Sequence, residues 1–304
     1  MVATGDTTVQ DLIRRLNDWL RVLPPEQERI TKLIDDLQAR FGERTDPVTA
    51  TVCHEIEAAA WAYSRHLELA FDPSGTGTPD EHSQGWPDPD LAEVRRRAAA
   101  VTCVERFPDG LCYIRLDGLE PVVAAHPYVT AAFTLARDAT GVVLDVRNNG
   151  GGDPATLALI AGLLLGDAST HLSDVTYRDR RRQWWTPDFP SGTAISTRLP
   201  VAVLIGPGTF SSGEALAYHL QCRQRVTVIG ESTPGAADHV TPICLAGSVT
   251  ALLPEAYVTD AASGVNWEGG GVVPDVACPA DQALKIALSR MEAVDNPRTG
   301  HVKG

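Results

Sequence analysis

The sequence predicts an α/β protein in which a helical N-terminal cap domain precedes a domain built on a mostly parallel β-sheet. Short runs rich in valine and isoleucine recur in the second part of the chain and are typical of strands buried on both faces. Helical patterns lie between these runs, and strands that alternate with helices form parallel sheets. Before residue 70, by contrast, the apolar residues keep helical spacing, which predicts the helical domain.

Three helices are predicted in the first domain. The first spans residues 9–22 and stops before Pro24-Pro25, and the second spans 26–41 and stops at Gly42. Asp46-Pro47 has the residue types of an N-cap and a first helical position, so the third helix is expected to open there and continue to Trp61. Residues 73–89 are rich in Pro, Gly, Ser and Asp and predict a linker, which gives domains at 1–90 and 91–304.

The second domain alternates in the order that an α/β sheet requires. Strands are predicted at 112–116, 141–146, 200–205 and 225–230, with a further strand segment at 248–259. Helices are predicted at 128–137, 155–165, 212–222 and 281–292. Two of the junctions between a strand and the next helix carry residues suited to chemistry.

Charge and composition narrow the class of partner. The 304 residues carry a formal net charge of −13, which argues against binding to nucleic acid or to anionic membranes. One local basic cluster runs into two tryptophans and is interpreted as a solvated loop or a substrate flap: Arg178, Arg180, Arg181, Arg182, Trp184 and Trp185. Homo-oligomerisation stays open.

The N-terminal segment shows no basic region followed by an apolar one, so no secretory signal is predicted and a cytoplasmic location is expected. No run approaches the length of a membrane span. The six scattered cysteines lack CxxC spacing and are expected to be buried small apolar residues. Neither a cofactor nor a metal is predicted.

The first junction follows the strand at 141–146 and contains three consecutive glycines, Gly150 to Gly152. Glycine lets the backbone approach a ligand closely, and N–H groups at a helix start hold anions such as a phosphate or an oxyanion. The segment matches neither the P-loop nor the dinucleotide-binding pattern. A turn without a ligand is the alternative interpretation, with Asp145 and Arg147 as an ion pair that orders it.

The second junction follows the strand at 200–205, where Gly-Pro-Gly turns the chain before Ser211 and Ser212 open a helix. A serine at such a turn combines an exposed hydroxyl with free N–H groups, which suits a nucleophile and an oxyanion donor. The segment is not a GxSxG elbow. From spacing alone, the serine could equally be an N-cap that forms a capping box with Glu214.

Four motifs follow one another along the chain: D-x-R-x-N-x-G-G, T-x-S-x-G-E, V-I-G-E-x-T-x-G and W-E-G-x-G-V-x-P-D. In this order they resemble the tail-specific, or C-terminal-processing, serine peptidases, and the resemblance covers about residues 112–288. The chain is most similar to the branch that contains interphotoreceptor retinoid-binding protein and the tricorn core protease. This resemblance implies a crotonase-like sheet of the tail-specific-protease type and a serine-dependent acyl transfer, with a peptide or an apolar small molecule as the expected substrate.

The resemblance also assigns roles to residues. It makes Ser211 the nucleophile and gives the oxyanion to the N–H groups of Ser212 and of Gly151 or Gly152. The family's lysine base is replaced by Ala236. The tricorn type instead uses a histidine and a glutamate, and the matching positions are His66 and Glu268, with Arg65 where tricorn has a serine.

Alternatives to these roles stay open. His239, close after the lost lysine position, is a second candidate base or a substrate-facing residue, whereas His219 is expected to be structural. Glu268 could only stabilise a turn, or act through a water. Trp184 and Trp185 offer an aromatic surface to a substrate. The alternative function is a non-proteolytic member that binds an apolar small molecule or catalyses cyclisation or acyl transfer in biosynthesis.

Overall fold

The computed structural model describes residues 7–75 and 86–295, so residues 76–85 of the predicted linker lie outside the described residues. The chain divides into two compact units. Unit 1 comprises residues 1–88, 173–183 and 235–269, and unit 2 comprises residues 89–172, 184–234 and 270–304. The chain first passes from unit 1 to unit 2 after Asp88, close to the predicted domain boundary. Two later segments, residues 173–183 and 235–269, belong to unit 1 again.

Unit 1 contains the three predicted helices, α1 (Val9–Val22), α2 (Gln27–Phe41) and α3 (Ala50–Ala60). The expected start of α3 is wrong. Thr49 is the N-cap, because its side chain accepts a hydrogen bond from the Val52 N–H at 3.3 Å. Pro47 instead pairs with Thr8 in an antiparallel bridge, which keeps the chain extended before the helix.

An antiparallel sheet accompanies these helices. It contains β1 (Glu68–Phe71), β5 (His171–Tyr177), β6 (Arg181–Trp185), β9 (His239–Ala246) and β10 (Val249–Asp260) in the order β1-β10-β5-β6, with β9 also paired to β10. Burial alternates along much of β10, so one face of this predicted strand packs inward. The apolar faces of α1 to α3 share one core with β1, β9 and β10.

Unit 2 is built on a six-stranded sheet that contains the four strands predicted at 112–116, 141–146, 200–205 and 225–230. Its strands are β2 (Val101–Arg106), β3 (Leu111–Leu116), β4 (Gly141–Asp145), β7 (Val201–Ile205), β8 (Thr227–Gly230) and β11 (Val276–Ala277), in the order β11-β8-β7-β4-β3-β2. All neighbours are parallel except β2 and β3. The α/β class is therefore confirmed, whereas "mostly parallel" applies to one of the two sheets.

The helices of unit 2 are α4 (Leu91–Arg96), α5 (Val122–Ala136), α6 (Pro154–Leu165), α7 (Ser212–Cys222) and α8 (Ala283–Asp295). Every residue of β4 and β7 is buried, as expected for central strands of a parallel sheet. Asp153 caps α6 by accepting the Ala155 N–H, and Pro154 occupies the first turn. Because β4 and β7 are parallel neighbours, the glycine loop and the serine turn emerge at the same edge of the sheet.

The cysteines are free, with Cys53, Cys112 and Cys244 buried and Cys103, Cys222 and Cys278 half-buried. Within residues 7–75 and 86–295, no group of three or more His, Cys, Asp or Glu side chains could hold a metal ion. No helix in the same ranges is long and apolar enough to cross a membrane.

Candidate active site

Ser211 lies in a strained turn between β7 and α7. Its backbone has φ 52° and ψ −124°, in the region that residues with a side chain rarely adopt. Such a conformation costs about 1–3 kcal/mol and persists only where the surroundings enforce it. The Thr209 hydroxyl anchors the turn, because it donates to the Val146 carbonyl at 2.8 Å and accepts the Gly206 N–H at 3.0 Å.

The buried Glu214 carboxylate holds the strained residue. Its Oε2 accepts the Ser211 N–H at 2.9 Å, and its Oε1 accepts the Thr233 hydroxyl at 2.5 Å. The same hydroxyl accepts the Val272 N–H at 2.8 Å. Glu214 thus connects the serine turn to the segments around Thr233 and Val272 of unit 2. The capping box that the sequence suggested involves only the contact between Ser211 and Glu214.

The glycine loop is ordered by polar side chains at the end of β4. The Arg147 guanidinium donates two hydrogen bonds to the Asp145 carboxylate, at 2.9 and 2.6 Å, and the Arg147 N–H donates a third at 3.1 Å. The Tyr113 hydroxyl donates to the same group at 2.7 Å. Burial opposes the charge of Asp145, yet these hydrogen bonds hold its pKa below the ordinary value. Asp145 and Arg147 form the ion pair that the sequence suggested.

The glycine loop and the serine turn pack directly against each other within unit 2. A Cβ built on Gly151 would lie 2.8 Å from the Ser211 Cβ and 3.0 Å from the Ser212 N. Gly151 also has φ +98°, which only glycine adopts without strain. The Ser212 hydroxyl donates to the Gly152 carbonyl at 2.9 Å. The structure therefore brings the predicted nucleophile and its predicted oxyanion donors together.

The N–H groups of this region differ in their partners. The Gly151 N–H donates to Oδ1 of Asn149 at 2.9 Å, and Nδ2 of the same amide donates to the Leu116 carbonyl at 3.1 Å. Among the described residues, the N–H groups of Ser212 and Gly152 have no hydrogen-bond acceptor. Both groups are therefore available to bind a developing negative charge.

Unit 1 contains Glu268 and both candidate bases, His66 and His239. Glu268 is bound by backbone N–H groups on two segments: Oε2 accepts from Ala237 at 2.7 Å and Asp238 at 3.3 Å, and Oε1 accepts from Arg65 at 3.3 Å. Arg65 precedes His66, and Asp238 precedes His239. One carboxylate therefore connects the segments that carry both candidate bases.

His66 is buried and His239 is half-buried. Burial, and secondly the neighbouring His239 ring, lower the pKa of His66 to about 4, although a hydrogen bond with the Asp238 backbone opposes this shift. Burial, and secondly the charge of Arg182, lower the pKa of His239 to about 4. Both imidazoles are therefore neutral at pH 7, in the form that can accept a proton.

These shifts predict that the protein loses stability in acid. Between pH 6.5 and 4 the unfolded chain protonates both histidines while the native state does not, so the free energy of unfolding falls as the pH falls. Each histidine contributes about 3 kcal/mol over this window. Asp238 offsets part of this loss of stability. Burial and the neighbouring Glu268 carboxylate raise its pKa, so the native state takes up a proton at Asp238 before the unfolded chain does.

Urea unfolding followed at pH 7, 6, 5 and 4 measures this dependence. The double variant His66→Gln/His239→Gln is expected to flatten or invert the pH dependence between 6.5 and 4. His54 lies exposed on α3 in the same unit, so His54→Gln is the matched control and should leave the curve unchanged. A double variant with the wild-type dependence would contradict the assignment.

The two predicted tryptophans lie in unit 2, whereas the lost lysine position lies in unit 1, three residues before His239. Trp185 belongs to unit 2, is 48% exposed and stacks on His171 with 4.6 Å between ring centroids. Trp184 is half-buried in the same unit. Ala236 is completely buried in unit 1. His219 is buried in α7, which agrees with a structural role.

Sequence reasoning missed the residues that hold the site together: Arg29, Asn149, Thr233 and Asp238. Arg29 binds Asp238 at 2.6 Å across 209 positions of sequence. Asn149 and Thr233 lie within the recognised motifs. The motifs therefore identify the segments of these residues but do not predict their hydrogen-bond partners. No local pattern distinguishes Arg29 from the other charged residues of α2.

The strained serine turn and the glycine loop, at one edge of a parallel sheet, form the kind of site that serine hydrolases use. The chain belongs to peptidase family S41, whose model matches residues 110–278, more than half of the chain. The predicted family is thereby confirmed. The narrower resemblance to the retinoid-binding-protein and tricorn branch stays a prediction.

Curated relatives are C-terminal-processing enzymes. The chain is 35% identical over 127 residues to the carboxyl-terminal-processing protease of Synechocystis, covering 40% of this chain and 27% of that protein. It is 31% identical over 167 residues to the chloroplastic C-terminal processing peptidase of Tetradesmus obliquus, covering 55% and 34%. The chain thus covers about a third or less of either relative.

Solved structures share the fold. A lipoprotein from Streptococcus agalactiae has a TM-score of 0.58 at 14% identity, covering 96% of this chain and 99% of that one. A protein from Parabacteroides merdae has a TM-score of 0.63 at 13% identity, covering 97% and 100%. At these identities the likeness concerns the fold alone.

Proposed function

We propose that this chain is a serine peptidase in which Ser211 forms the acyl-enzyme. The observation that carries the proposal is the strained Ser211 backbone, held by the Glu214 carboxylate and packed against Gly151. Strain of this kind is retained where it serves a site. Membership of family S41 supplies the reaction class.

In the proposed reaction, the Ser211 Oγ attacks the carbonyl carbon of a peptide and its proton passes to an imidazole. The N–H groups of Ser212 and Gly152 bind the oxyanion, and the Gly151 N–H joins them if it leaves the Asn149 side chain. The protonated base then gives its proton to the leaving amine. Water hydrolyses the acyl-enzyme by the reverse proton path.

The base is proposed from the family resemblance to be His66, with His239 as the alternative. A buried neutral imidazole is the form that accepts the serine proton. Burial disfavours the cation that results, so a nearby carboxyl group has to stabilise it, and we assign this role to Glu268. Ala236 excludes the lysine base.

A second candidate function is binding or cyclisation of an apolar small molecule without proteolysis. The half-exposed Trp185 ring and the absence of the lysine at Ala236 favour it. Trp184 and Trp185 would then bind the ligand and not a peptide side chain. A cytoplasmic location and homo-oligomerisation are also proposals.

Hydrolysis assays separate the two functions. The wild-type chain is incubated with fluorescent casein and a library of internally quenched peptides, before and after treatment with a fluorophosphonate, which modifies activated serines. The proposal predicts peptide cleavage that the reagent abolishes. Binding of an apolar fluorescent probe such as 1-anilinonaphthalene-8-sulfonate, with no cleaved peptide in the library, would favour the second function.

A further inference from the structure

We propose that Arg29 is a positioning residue of this hydrolase. Its guanidinium fixes the two segments that carry the candidate bases, by binding Asp238 and Glu268 together. The inference rests on the proposed function and extends it to α2, a helix outside the family match at residues 110–278.

Each of the three guanidinium nitrogens of Arg29 donates a hydrogen bond. Nη2 donates to Oδ2 of Asp238 at 2.6 Å, and Nε donates to Oε2 of Glu26 at 2.7 Å. Nη1 donates to the Tyr63 carbonyl at 2.6 Å and lies 3.4 Å from Oε1 of Glu268. Arg29 therefore contacts the chain just before His66 as well as the residue just before His239.

The acidic side chains in this cluster depend on that cation. The side chains of Asp238 and Glu268 are only 2% and 10% exposed, and Asp238 Oδ1 is buried with no hydrogen-bond partner among the described residues. Two buried carboxyl groups in proximity repel each other when both are charged. Arg29 opposes this repulsion, and without it the loop at residues 237–239 would have to rearrange or take up a proton.

The cluster also links Arg29 to the candidate bases through the backbone. The Glu268 carboxylate that Arg29 approaches accepts the N–H groups of Arg65 and Ala237, as described above. The His66 ring is hydrogen-bonded with the backbone of Asp238. A shift of Asp238 therefore moves the partner of the His66 ring directly, so Arg29 acts on the imidazole through one intermediate residue.

Surface ion pairs of α2 lack these connections. Arg40 pairs with Asp36 at 2.9 Å, four residues away on the same helix, and its side chain is 57% exposed. Such pairs contribute little. Arg40→Gln is therefore a matched control for Arg29→Gln, because it removes an arginine from the same helix without touching the cluster.

The test compares wild type, Arg29→Gln, Arg29→Lys and Arg40→Gln as full-length chains. Each is labelled with a fluorophosphonate between pH 5 and 9, and the rate is normalised to the folded fraction from circular dichroism. The groups that face Asp238 are Arg29 and Glu26 from α2 and its N-cap, Glu268, Tyr257 of β10 and the His66 ring. Arg29 lowers the pKa of Asp238, so removing the charge of Arg29 raises that pKa. Because the backbone of Asp238 is hydrogen-bonded with the His66 ring, the acid limb of the labelling-rate profile should then move to higher pH.

We expect Arg29→Gln to be labelled about 100-fold more slowly, because small displacements of a base cost this much. Its pH midpoint should move upward. Arg29→Lys keeps the charge but not the planar set of donors, so the midpoint should stay while the rate falls about tenfold. Arg40→Gln should behave as wild type.

The inference would be overturned if Arg29→Lys and folded Arg29→Gln were labelled at the wild-type rate with the wild-type pH midpoint. It would also be overturned if these variants lost only melting temperature and kept the labelling rate. If Arg29→Gln does not fold, the rate of Arg29→Lys decides. Absence of labelling in the wild type itself would refute the proposed function, and the inference with it, so the two failures are distinct.

Discussion

Ser211→Ala is expected to reduce peptide hydrolysis by at least about 10³-fold, because the acyl-enzyme cannot form without the hydroxyl. The variant loses the hydrogen bond that the Ser211 hydroxyl accepts from the Glu214 N–H, but keeps the one from the Ser211 N–H to the Glu214 carboxylate. Loss of one capping hydrogen bond costs about 1 kcal/mol, so the melting temperature should fall by only a few degrees. The change is measured as kcat/KM on the best peptide from the quenched library, beside a thermal melt of the same preparation.

Ser212→Ala is the matched control. It removes a neighbouring hydroxyl that donates to the Gly152 carbonyl, yet keeps the N–H that is proposed to bind the oxyanion. We expect a loss of less than about tenfold, since one uncharged hydrogen bond contributes about 1 kcal/mol. Equal losses in the two variants, or full turnover in Ser211→Ala, would show that the Ser211 hydroxyl is not the nucleophile and would favour a non-covalent reaction.

Gly151→Ala is expected to have the second-largest effect. The added Cβ would lie 2.8 Å from the Ser211 Cβ and 3.0 Å from the Phe210 carbonyl oxygen, so the serine turn has to move. The positive φ of +98° adds backbone strain of about 1–3 kcal/mol. We predict a loss of stability of that order in urea unfolding and about 100-fold slower labelling of Ser211.

Gly150→Ala tests the same loop without the collision. A Cβ at Gly150 would meet nothing within 4 Å, and the residue is not among the glycines with positive φ. Its stability and labelling rate should match the wild type. If both alanine variants lose labelling to the same extent, a general sensitivity of the loop explains the effect, and the packing of Gly151 against Ser211 does not.

The parts of the fold that repeat a local pattern could be predicted. Helix α1 spans the predicted residues 9–22, because its apolar residues keep one face and Pro24 follows. Strands β4 and β7 are continuous apolar runs ended by turns. The start of α3 could not be read locally, because the pairing of Pro47 with Thr8 overrides the helix signal of Asp46-Pro47.

The candidate site divides in the same way. Ser211 and Gly151 follow predicted strands that are parallel neighbours, so their proximity follows from the topology. The partners of Glu268 could not be predicted, because it binds backbone N–H groups near residues 65 and 237, and these contacts exist only in the folded chain. The composition of residues 235–269 also does not predict that this segment belongs to unit 1.

The position of the covalent adduct shows most directly whether Ser211 is the nucleophile. Wild-type protein is treated with a fluorophosphonate, its intact mass is measured, and the tryptic peptide that spans residues 199–223 and contains Ser211 and Ser212 is sequenced by tandem mass spectrometry. We predict one adduct per chain, on Ser211, with none in Ser211→Ala. An adduct on Ser212 or elsewhere, or equal labelling of wild type and Ser211→Ala, would contradict the account.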